Sequence, residues 1–299
     1  MGSRGLWSTV VRSWIPGRGH QAGRRTGERV ATAASMTVAK AFRILELFRE
    51  HPVLTSSLCQ SELGIPRPTA HRLLMSLRNA GAVEMTEDGH YRLSLSLFEL
   101  GSLASQRRRL GDSSGAALER LADHTGLRVH LGVRRETHVL YLEAAHGRHA
   151  QSVRTRVGER GPLHATALGK VLLAHAPEDV VQRLTAGELH PYTQYTVVDE
   201  DTLRADLEII RACGCAFVSE EYVLGMCSLS APIRGSDGRV RAAISIAGSK
   251  AAVGRQRLQL EDRLRRTAVE IGQGRAWWES YQSAFKRTAR ENPPPAAVC

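Results

Sequence analysis

The residues best suited to chemistry lie between Pro66 and Asn79, where apolar and polar side chains recur with the period of a helix. Ala70, Leu73, Leu74 and Leu77 share one face, which we expect to be buried. The opposite face and the start of the helix carry Arg67, Thr69, His71, Arg72 and Ser76. Arginine can donate two hydrogen bonds to guanine, and the other side chains can contact bases or phosphates. The pattern predicts a helix that reads the major groove of DNA.

Two helical patterns precede this helix. The first opens at Met36 and closes near His51, and the second is capped within residues 55–57 and ends at Gly64. A short helix, a turn and a reading helix are the parts of a helix-turn-helix, in which the earlier helix crosses the DNA backbone.

A hairpin follows the reading helix. Alternating patterns at 83–85 and 91–93 predict two strands around a two-residue turn at Asp88-Gly89. His90 and Arg92 would lie on this wing, within reach of the minor groove or the DNA backbone. Residues 36–97 are therefore predicted to form a winged helix-turn-helix.

The charge of the chain is informative only once it is located. The net charge is +11, which favours a polyanionic partner. However, residues 1–35 contain six arginines and a single acidic residue, in a leader without sustained periodicity. We expect this leader to be disordered, either as an over-long start before Met36 or as a transit peptide. DNA contact must therefore depend on where the basic groups lie.

The second half of the chain predicts a mixed α/β domain. Residues 98–125 have a helical pattern, and we interpret 98–111 as a linker helix before a domain at 112–283. A proline-containing tail at 284–299 is expected to be disordered. The predicted elements of the domain are strands flanking 135–137 and 236–238, and helices at 165–175, 199–212 and 258–281.

This domain offers space for a ligand. The helix near Ala165 follows a segment with two glycines and a proline, so its N-terminus could receive an anionic group. Small residues alternate on two strands that we expect to pair, which leaves room beside them. These residues are Ser228, Ser230, Ser245 and Ala247.

An enzyme and a thiol or metal sensor are the alternatives. The sequence has no GxSxG, HExxH or Walker motif, and His164 with Cys227 is weak support for a nucleophile and its base. Cys213, Cys215 and Cys227 could form a disulfide or bind zinc with His164, although paired CxxC spacing is absent. If Cys213 and Cys215 alternate on a strand, they cannot readily bridge each other. We expect no catalytic residue, no cofactor and no metal.

The absence of a long apolar run and the cysteine content indicate the cellular compartment. No apolar run approaches the ~18 residues that a membrane span needs. Five scattered cysteines are typical of a reducing environment. We therefore expect a cytoplasmic protein without a membrane partner.

Several motifs in order resemble the IclR family of bacterial transcriptional regulators. In the first half these are AKAFRILEL at 39–47, SELGIPRPTAHRLLMSLRNAGAVE at 61–84 and DGHYRLSLSLFELG at 88–101. In the second half they are GERGPLHATALGKVLLA at 158–174, GCAFVSEE at 214–221 and LGMCSLSAPIRGSDGRVRAAISIAG at 224–248. The resemblance covers about residues 36–283. It implies an α+β protein, with a winged helix-turn-helix, a linker helix and a GAF-like effector-binding domain, that acts as a dimer or a dimer of dimers.

The resemblance also implies where an effector would bind. In the family it lies between the helix near Ala165 and the paired strands, so the matching candidates are Ala167, Leu168, Ser228, Ser245 and Ala247. Three positions depart from the family pattern: Pro68 stands where Ser is more frequent, Ser228 where some relatives have Cys, and Val218 where some have Asp. The last two changes favour an apolar or aromatic acid over a small oxo-acid.

We therefore predict a DNA-binding transcriptional regulator, either a repressor or an activator. Paired reading helices would bind double-stranded operator DNA with two-fold pseudosymmetry. An organic or aromatic acid would shift the spacing of those helices through the linker, because it binds one arrangement better than the other. Thiol or metal sensing by Cys213, Cys215 and Cys227 is the alternative.

Overall fold

The computed structural model of the chain describes residues 28–108, 111–148, 150 and 155–273. They fall into two compact units that divide between Gln106 and Arg107. The division lies inside the predicted linker, while the predicted domain ranges themselves stay predictions. The tail predicted at 284–299 and residues 1–27 of the predicted leader lie outside the described residues.

The first unit combines helices with a two-stranded wing. Its elements are α1 (Glu28–Leu47), α2 (Ser56–Leu63), α3 (Arg67–Asn79), β1 (Val83–Met85), β2 (Tyr91–Leu93) and α4 (Leu95–Arg108). Helix α2 begins because Thr55 Oγ1 accepts the N–H of Leu58 at 3.1 Å, and it ends at Gly64, whose φ of 64° suits glycine. Both ends agree with the prediction.

One apolar core holds the first unit together. Ile44 of α1, Leu74 of α3 and Tyr91 of β2 are among its buried side chains. Leu54 joins the wing, since its N–H and C=O both pair with Tyr91 at 2.8 and 2.9 Å. Burial of these groups, together with Ala70 and its neighbours, fixes α3 against the other helices.

Two details of this unit differ from the prediction. Helix α1 begins at Glu28 and not at Met36, because residues 28–35 include three alanines and neither glycine nor proline. The wing turn has three residues, 87–89, and not two. The N–H of Thr86 donates to His90 O at 2.8 Å, and Thr86 Oγ1 accepts the N–H of His90 at 3.1 Å, which closes the longer turn.

The second unit is an antiparallel sheet with helices on both faces. Its strands are β3 (Arg128–Arg135), β4 (His138–His146), β5 (Arg160–Pro162), β6 (Ala216–Ser219), β7 (Met226–Arg234) and β8 (Val240–Ser249), in the spatial order β5-β4-β3-β8-β7-β6. Its helices are α5 (Gly111–Thr125), α6 (Ala167–Ala174), α7 (Glu178–Thr185), α8 (Glu200–Cys213), α9 (Lys250–Gly254) and α10 (Arg257–Gln273).

The two faces of this sheet have separate cores. Helices α5 and α10 cover one face, where Leu131, Leu229 and Ile244 are buried. Helices α6 and α8 cover the other, where Leu168 and Leu203 are buried. Alternation along each strand therefore decides which core a side chain joins, and the small residues of β7 and β8 point toward α6.

Both predicted hairpins are present, and α8 begins after Asp199, whose carboxylate accepts the N–H of Thr202 at 2.8 Å. The sequence analysis did not predict β5, β6, α7 or α9. The single helical stretch expected at 98–125 is described as α4 and α5. Helix α10 is described to Gln273, so the rest of the helix predicted at 258–281 lies outside the described residues.

Within the described ranges, no helix has the length and apolar content needed to cross a membrane.

Candidate functional site

Helix α3 presents the predicted DNA-reading residues on its outer face. Ala70, Leu73 and Leu74 are buried, and the side chains opposite them are free to meet a ligand. Those of Arg67, His71, Arg72 and Ser76 are exposed, and that of Thr69 is half-buried.

These side chains differ in how far the protein already engages them. Ser76 Oγ donates to the carbonyl oxygen of Arg72 at 2.9 Å, so its hydroxyl proton is used within the helix. Within the described part of the chain, the side chains of Arg67, His71 and Arg72 make no hydrogen bond or ion pair. Pro66 precedes the helix without a side-chain cap, which leaves first-turn N–H groups open to a phosphate. The start of α3 can therefore accept both a base edge and an anion.

The wing contains an ion pair that the sequence analysis missed. Glu84 of β1 lies directly opposite Arg92 of β2, and Arg92 Nε donates to Glu84 Oε1 at 2.6 Å. Arg92, predicted to contact DNA, thus already has a carboxylate partner. His90 is half-buried where the turn closes. The two residues are equally far from the turn at 87–89, but not from the two-residue turn that the sequence analysis predicted.

The predicted effector residues gather on the α6 face of the second sheet. Ser228 pairs with Ala247 across β7 and β8, and Ser245 lies two residues from Ala247 on the same face. Ala167 and Leu168 form the first turn of α6 over this face, where both are buried. The structure therefore brings all five residues to one layer, between a helix start and two strands.

Two basic residues share this layer and were not predicted. Arg128 and His130 of β3 pair with Ala247 and Ser245 of β8, so they continue the same rows across the sheet. Both are buried, with exposed fractions of 7% and 3%. Arg128 Nε donates to His130 Nε2 at 3.0 Å. That nitrogen must be an acceptor, which makes the imidazole neutral with its proton on Nδ1.

The surroundings keep His130 neutral. Burial, and then repulsion by Arg128 and His146, lowers the pKa of His130 from 6.5 to about 3. Its ring lies against that of Tyr141 of β4, with centroids 5.3 Å apart. Burial also raises the pKa of Tyr141.

Aromatic side chains extend this layer beyond the start of α6. Tyr192 lies between His164, at 5.8 Å between ring centroids, and Tyr222, at 4.9 Å. His164 Nε2 donates to the carbonyl oxygen of His190 at 3.0 Å, so its Nδ1 is a buried acceptor, without a partner in the described part of the chain. Burial raises the pKa of Tyr222 to about 12. The cluster is neutral and suits flat, uncharged parts of a ligand.

Lys170 is a structural residue of α6. Its ammonium group is buried and donates to Asp206 of α8 at 2.6 Å and to Glu221 at 2.8 Å. The carbonyl oxygen of Glu221 in turn accepts the hydroxyl of Thr196 at 2.6 Å. Glu220 is paired with Lys250 and accepts the N–H of Gly225 at 2.9 Å, so it closes its loop. These bonds give both glutamates structural roles.

The cysteines among the described residues do not assemble a thiol or metal centre. Cys213 is the last residue of α8 and Cys215 follows the cap at Gly214, so the two cysteines do not alternate on one strand. Burial raises the pKa of Cys215 to about 11, which opposes thiolate formation. Over the described ranges, no group of three or more His, Cys, Asp and Glu side chains could hold a metal ion.

Comparisons with known proteins identify both units. A model described as "IclR helix-turn-helix domain" matches residues 37–87, and one described as "Bacterial transcriptional regulator IclR C-terminal" matches residues 103–273. The transcriptional regulator XynR of Escherichia coli is 32% identical over 213 residues, which are 70% of this chain and 84% of XynR. The regulator BhcR of Paracoccus denitrificans is 32% identical over 240 residues, 79% of this chain and 86% of BhcR.

Solved structures give the same result for the fold. A crystal structure of an IclR homolog from Microbacterium hydrocarbonoxydans, complexed with 4-hydroxybenzoate, has a TM-score of 0.70 and 28% identity. The match covers 81% of this chain and 99% of the homolog. A regulator from Silicibacter has a TM-score of 0.73 and 25% identity, covering 81% of this chain and 96% of that chain.

Proposed function

The chain belongs to the IclR family of bacterial transcriptional regulators, and from this premise we propose that it binds operator DNA through α3 and responds to an organic or aromatic acid held beneath α6. The observation that carries the proposal is the outer face of α3. Its exposed Arg67, His71 and Arg72 have no partner in the described part of the chain, while the inner face is fixed in a core. Helices that read the major groove require this combination.

The direct test is binding to the DNA upstream of the protein's own gene. Retardation of that DNA by the purified full chain, against an unrelated duplex of equal length, should show preference at physiological ionic strength. Because basic groups release counterions from DNA, affinity should fall steeply as salt rises. Equal affinity for both duplexes, or none for either, would remove the regulator proposal.

The effector response is tested on the same complex. Organic and aromatic acids are added to the protein–operator mixture, and a true effector should change operator affinity in either direction. The matching readout is a rise in the melting temperature of the free protein, since a ligand that binds the folded state stabilises it. An acid can change operator affinity only if it binds the protein and prefers one of its two conformations. The compounds that change operator affinity should therefore also raise the melting temperature.

We also propose a homo-oligomer in the cytoplasm. Apolar side chains at Leu95, Phe98, Leu100 and Leu103 of α4 are between 55% and 76% exposed, which is costly on a protein that acts alone. A second copy of the chain would bury them. Light scattering during size-exclusion chromatography should give at least a dimer. Phe98→Glu should weaken that dimer, whereas Glu99→Gln on the same helix should leave it intact.

A further inference from the structure

We propose that Arg128 of β3 holds the carboxylate of the effector, with the apolar body of the acid lying across β8 and β7 toward β6. This inference rests on the proposed function and names the charged residue and the ligand class of that site. The other candidates in the site are small or neutral side chains, which cannot balance the charge of a buried acid, whereas Arg128 can.

The register of the sheet places Arg128 beside the predicted effector residues. Arg128 pairs with Ala247, Ala247 pairs with Ser228, and Ser228 pairs with Val218. These four residues form one row across β3, β8, β7 and β6, on the face that α6 covers. At about 4.8 Å between strands the row is about 14 Å long. It begins with a cation, passes two small side chains and ends with a buried valine.

Arg128 is a buried cation that has no carboxylate partner in the described part of the chain. Its guanidinium donates through Nε to His130 and through Nη2 to the carbonyl oxygen of Thr155. Among the described residues no Asp or Glu forms an ion pair with it, and Nη1 makes no hydrogen bond. Burying a charge is costly unless it is paired. An anion that arrives with the ligand would supply the missing partner.

The charges around Arg128 favour an anion over a second cation. His146 of β4 lies opposite Arg128 of β3 in the sheet, and Glu159 is the acidic residue whose charge acts on the guanidinium. Glu159 Oε2 already accepts the N–H of Arg156 at 2.7 Å. His130 stays neutral and accepts from Nε, which fixes the plane of the guanidinium. A guanidinium held in this way can donate two parallel hydrogen bonds to one carboxylate.

The other end of the row selects the body of the ligand. Val218 stands where some relatives have Asp, so the row contains no acid that would repel a carboxylate or require a polar ligand. Alanine and serine in the middle leave space for a flat group. The row therefore fits an aromatic or other apolar carboxylate better than a small oxo-acid.

The experiment compares a carboxylate with an uncharged compound of the same shape. Benzoate and benzamide are titrated calorimetrically, at concentrations up to millimolar, into the full chain and three variants. We expect the wild type to prefer benzoate. Arg128→Met should weaken benzoate binding by about tenfold to a hundredfold, because a charge-assisted hydrogen bond is lost, and should leave benzamide unchanged. The benzoate affinity of Arg128→Lys should lie between those of the wild type and Arg128→Met, since lysine keeps the positive charge but lacks the planar guanidinium with its two parallel donors.

The control separates the role of Arg128 from a general effect of charge. Arg263 lies exposed on α10, on the other face of the sheet, and Arg263→Met removes the same charge. It should bind benzoate as the wild type does. Thermal unfolding without ligand measures how much the hydrogen bond from Arg128 to Thr155 contributes to stability. If Arg128→Met does not fold, the benzoate affinity of Arg128→Lys alone tests the inference.

Three outcomes would overturn the inference: no benzoate binding by the wild type, equal binding of benzamide, or undiminished benzoate binding by Arg128→Met. Retardation of upstream DNA by the same samples keeps the two proposals apart. Loss of DNA binding in the wild type contradicts the regulator proposal, whereas failed benzoate binding by a protein that binds operator DNA contradicts only the role of Arg128.

Discussion

The outer face of α3 and the α6 face of the sheet are both polar surfaces, but they are organised in opposite ways. On α3, the side chains of Arg67 and Arg72 are exposed and make no hydrogen bond or ion pair with the described residues, and the core beneath them holds the helix in place. On the sheet, Arg128 and His130 are buried and hydrogen-bonded to each other. A surface for a large polyanion can remain open to water, whereas a site for a small molecule must hold its polar groups in fixed positions before the ligand arrives.

The largest expected effect tests whether the α3 face depends on its core. Leu74 is fully buried, and Leu74→Ala should lower the free energy of unfolding of the first unit by about 2–5 kcal/mol, because a cavity replaces the lost side chain. Chemical denaturation followed by circular dichroism measures it. Leu77→Ala, at a half-buried position of the same helix, is the control and should cost less. Equal costs would mean that α3 is not anchored by Leu74.

The next effect tests whether the sheet face is held in a single protonation state. The unfolded chain binds a proton at His130 below pH 6.5, and the folded chain does not until about pH 3. Stability is therefore present above the unfolded pKa and is lost as the pH falls toward the folded pKa. When the pH falls from about 7 to about 4.5, His130 should lower the free energy of unfolding by about 2–3 kcal/mol.

Urea unfolding of the wild type and of His130→Gln at both pH values measures whether acidification lowers the free energy of unfolding through His130. The glutamine variant should lose less stability on acidification, since that group no longer titrates. An identical loss in the two proteins would show that His130 does not carry the effect.

A smaller effect tests base reading on the open face. Arg72→Ala should weaken operator binding by about 1–3 kcal/mol and relax the sequence preference. Competition retardation against operators with single base-pair changes measures both. Arg78→Ala, at the other end of α3, is the comparison and should leave the preference intact. If Arg72→Ala weakens binding to every DNA equally, then Arg72 contacts phosphate only.

The smallest effect concerns Arg92, a predicted DNA contact that forms an ion pair with Glu84. Glu84→Gln releases Arg92 and removes a negative charge from the wing, so DNA affinity should rise by about 0.5–1 kcal/mol. Fluorescence anisotropy with labelled operator measures the change. In the background of Arg92→Ala the gain should shrink, and an undiminished gain would mean that Glu84 acts by repelling DNA directly.

The two faces also differ in how far the sequence predicts them. The inward leucines of α3, the caps at Thr55 and Asp199 and the turn at 236–238 are local patterns, and all are present in the structure. The side chains assigned to DNA and to the effector stay predictions, although the structure places those of α3 on its outer face and those of the effector site in one layer.

Arg128 and His130 were missed because their neighbours are remote in sequence. Arg128 meets Ala247 only through the pairing of β3 with β8, and helical or alternating periodicity says nothing about which strands pair. The Glu84–Arg92 pair lies nearer in the chain, yet a turn assigned one residue too short hid its register. Sequence patterns thus predict which way a side chain faces more readily than what it faces.

Lys170 gives the start of α6 an unexpected mechanical role. Its buried ammonium group forms ion pairs with Asp206 of α8 and with Glu221 in the loop after β6, and losing both partners would leave a buried charge unpaired. A molecule that displaces the first turn of α6 must therefore carry α8 and that loop with it, or break the bonds. We therefore expect a ligand bound at the start of α6 to move α8 and the loop at Glu221 together with α6.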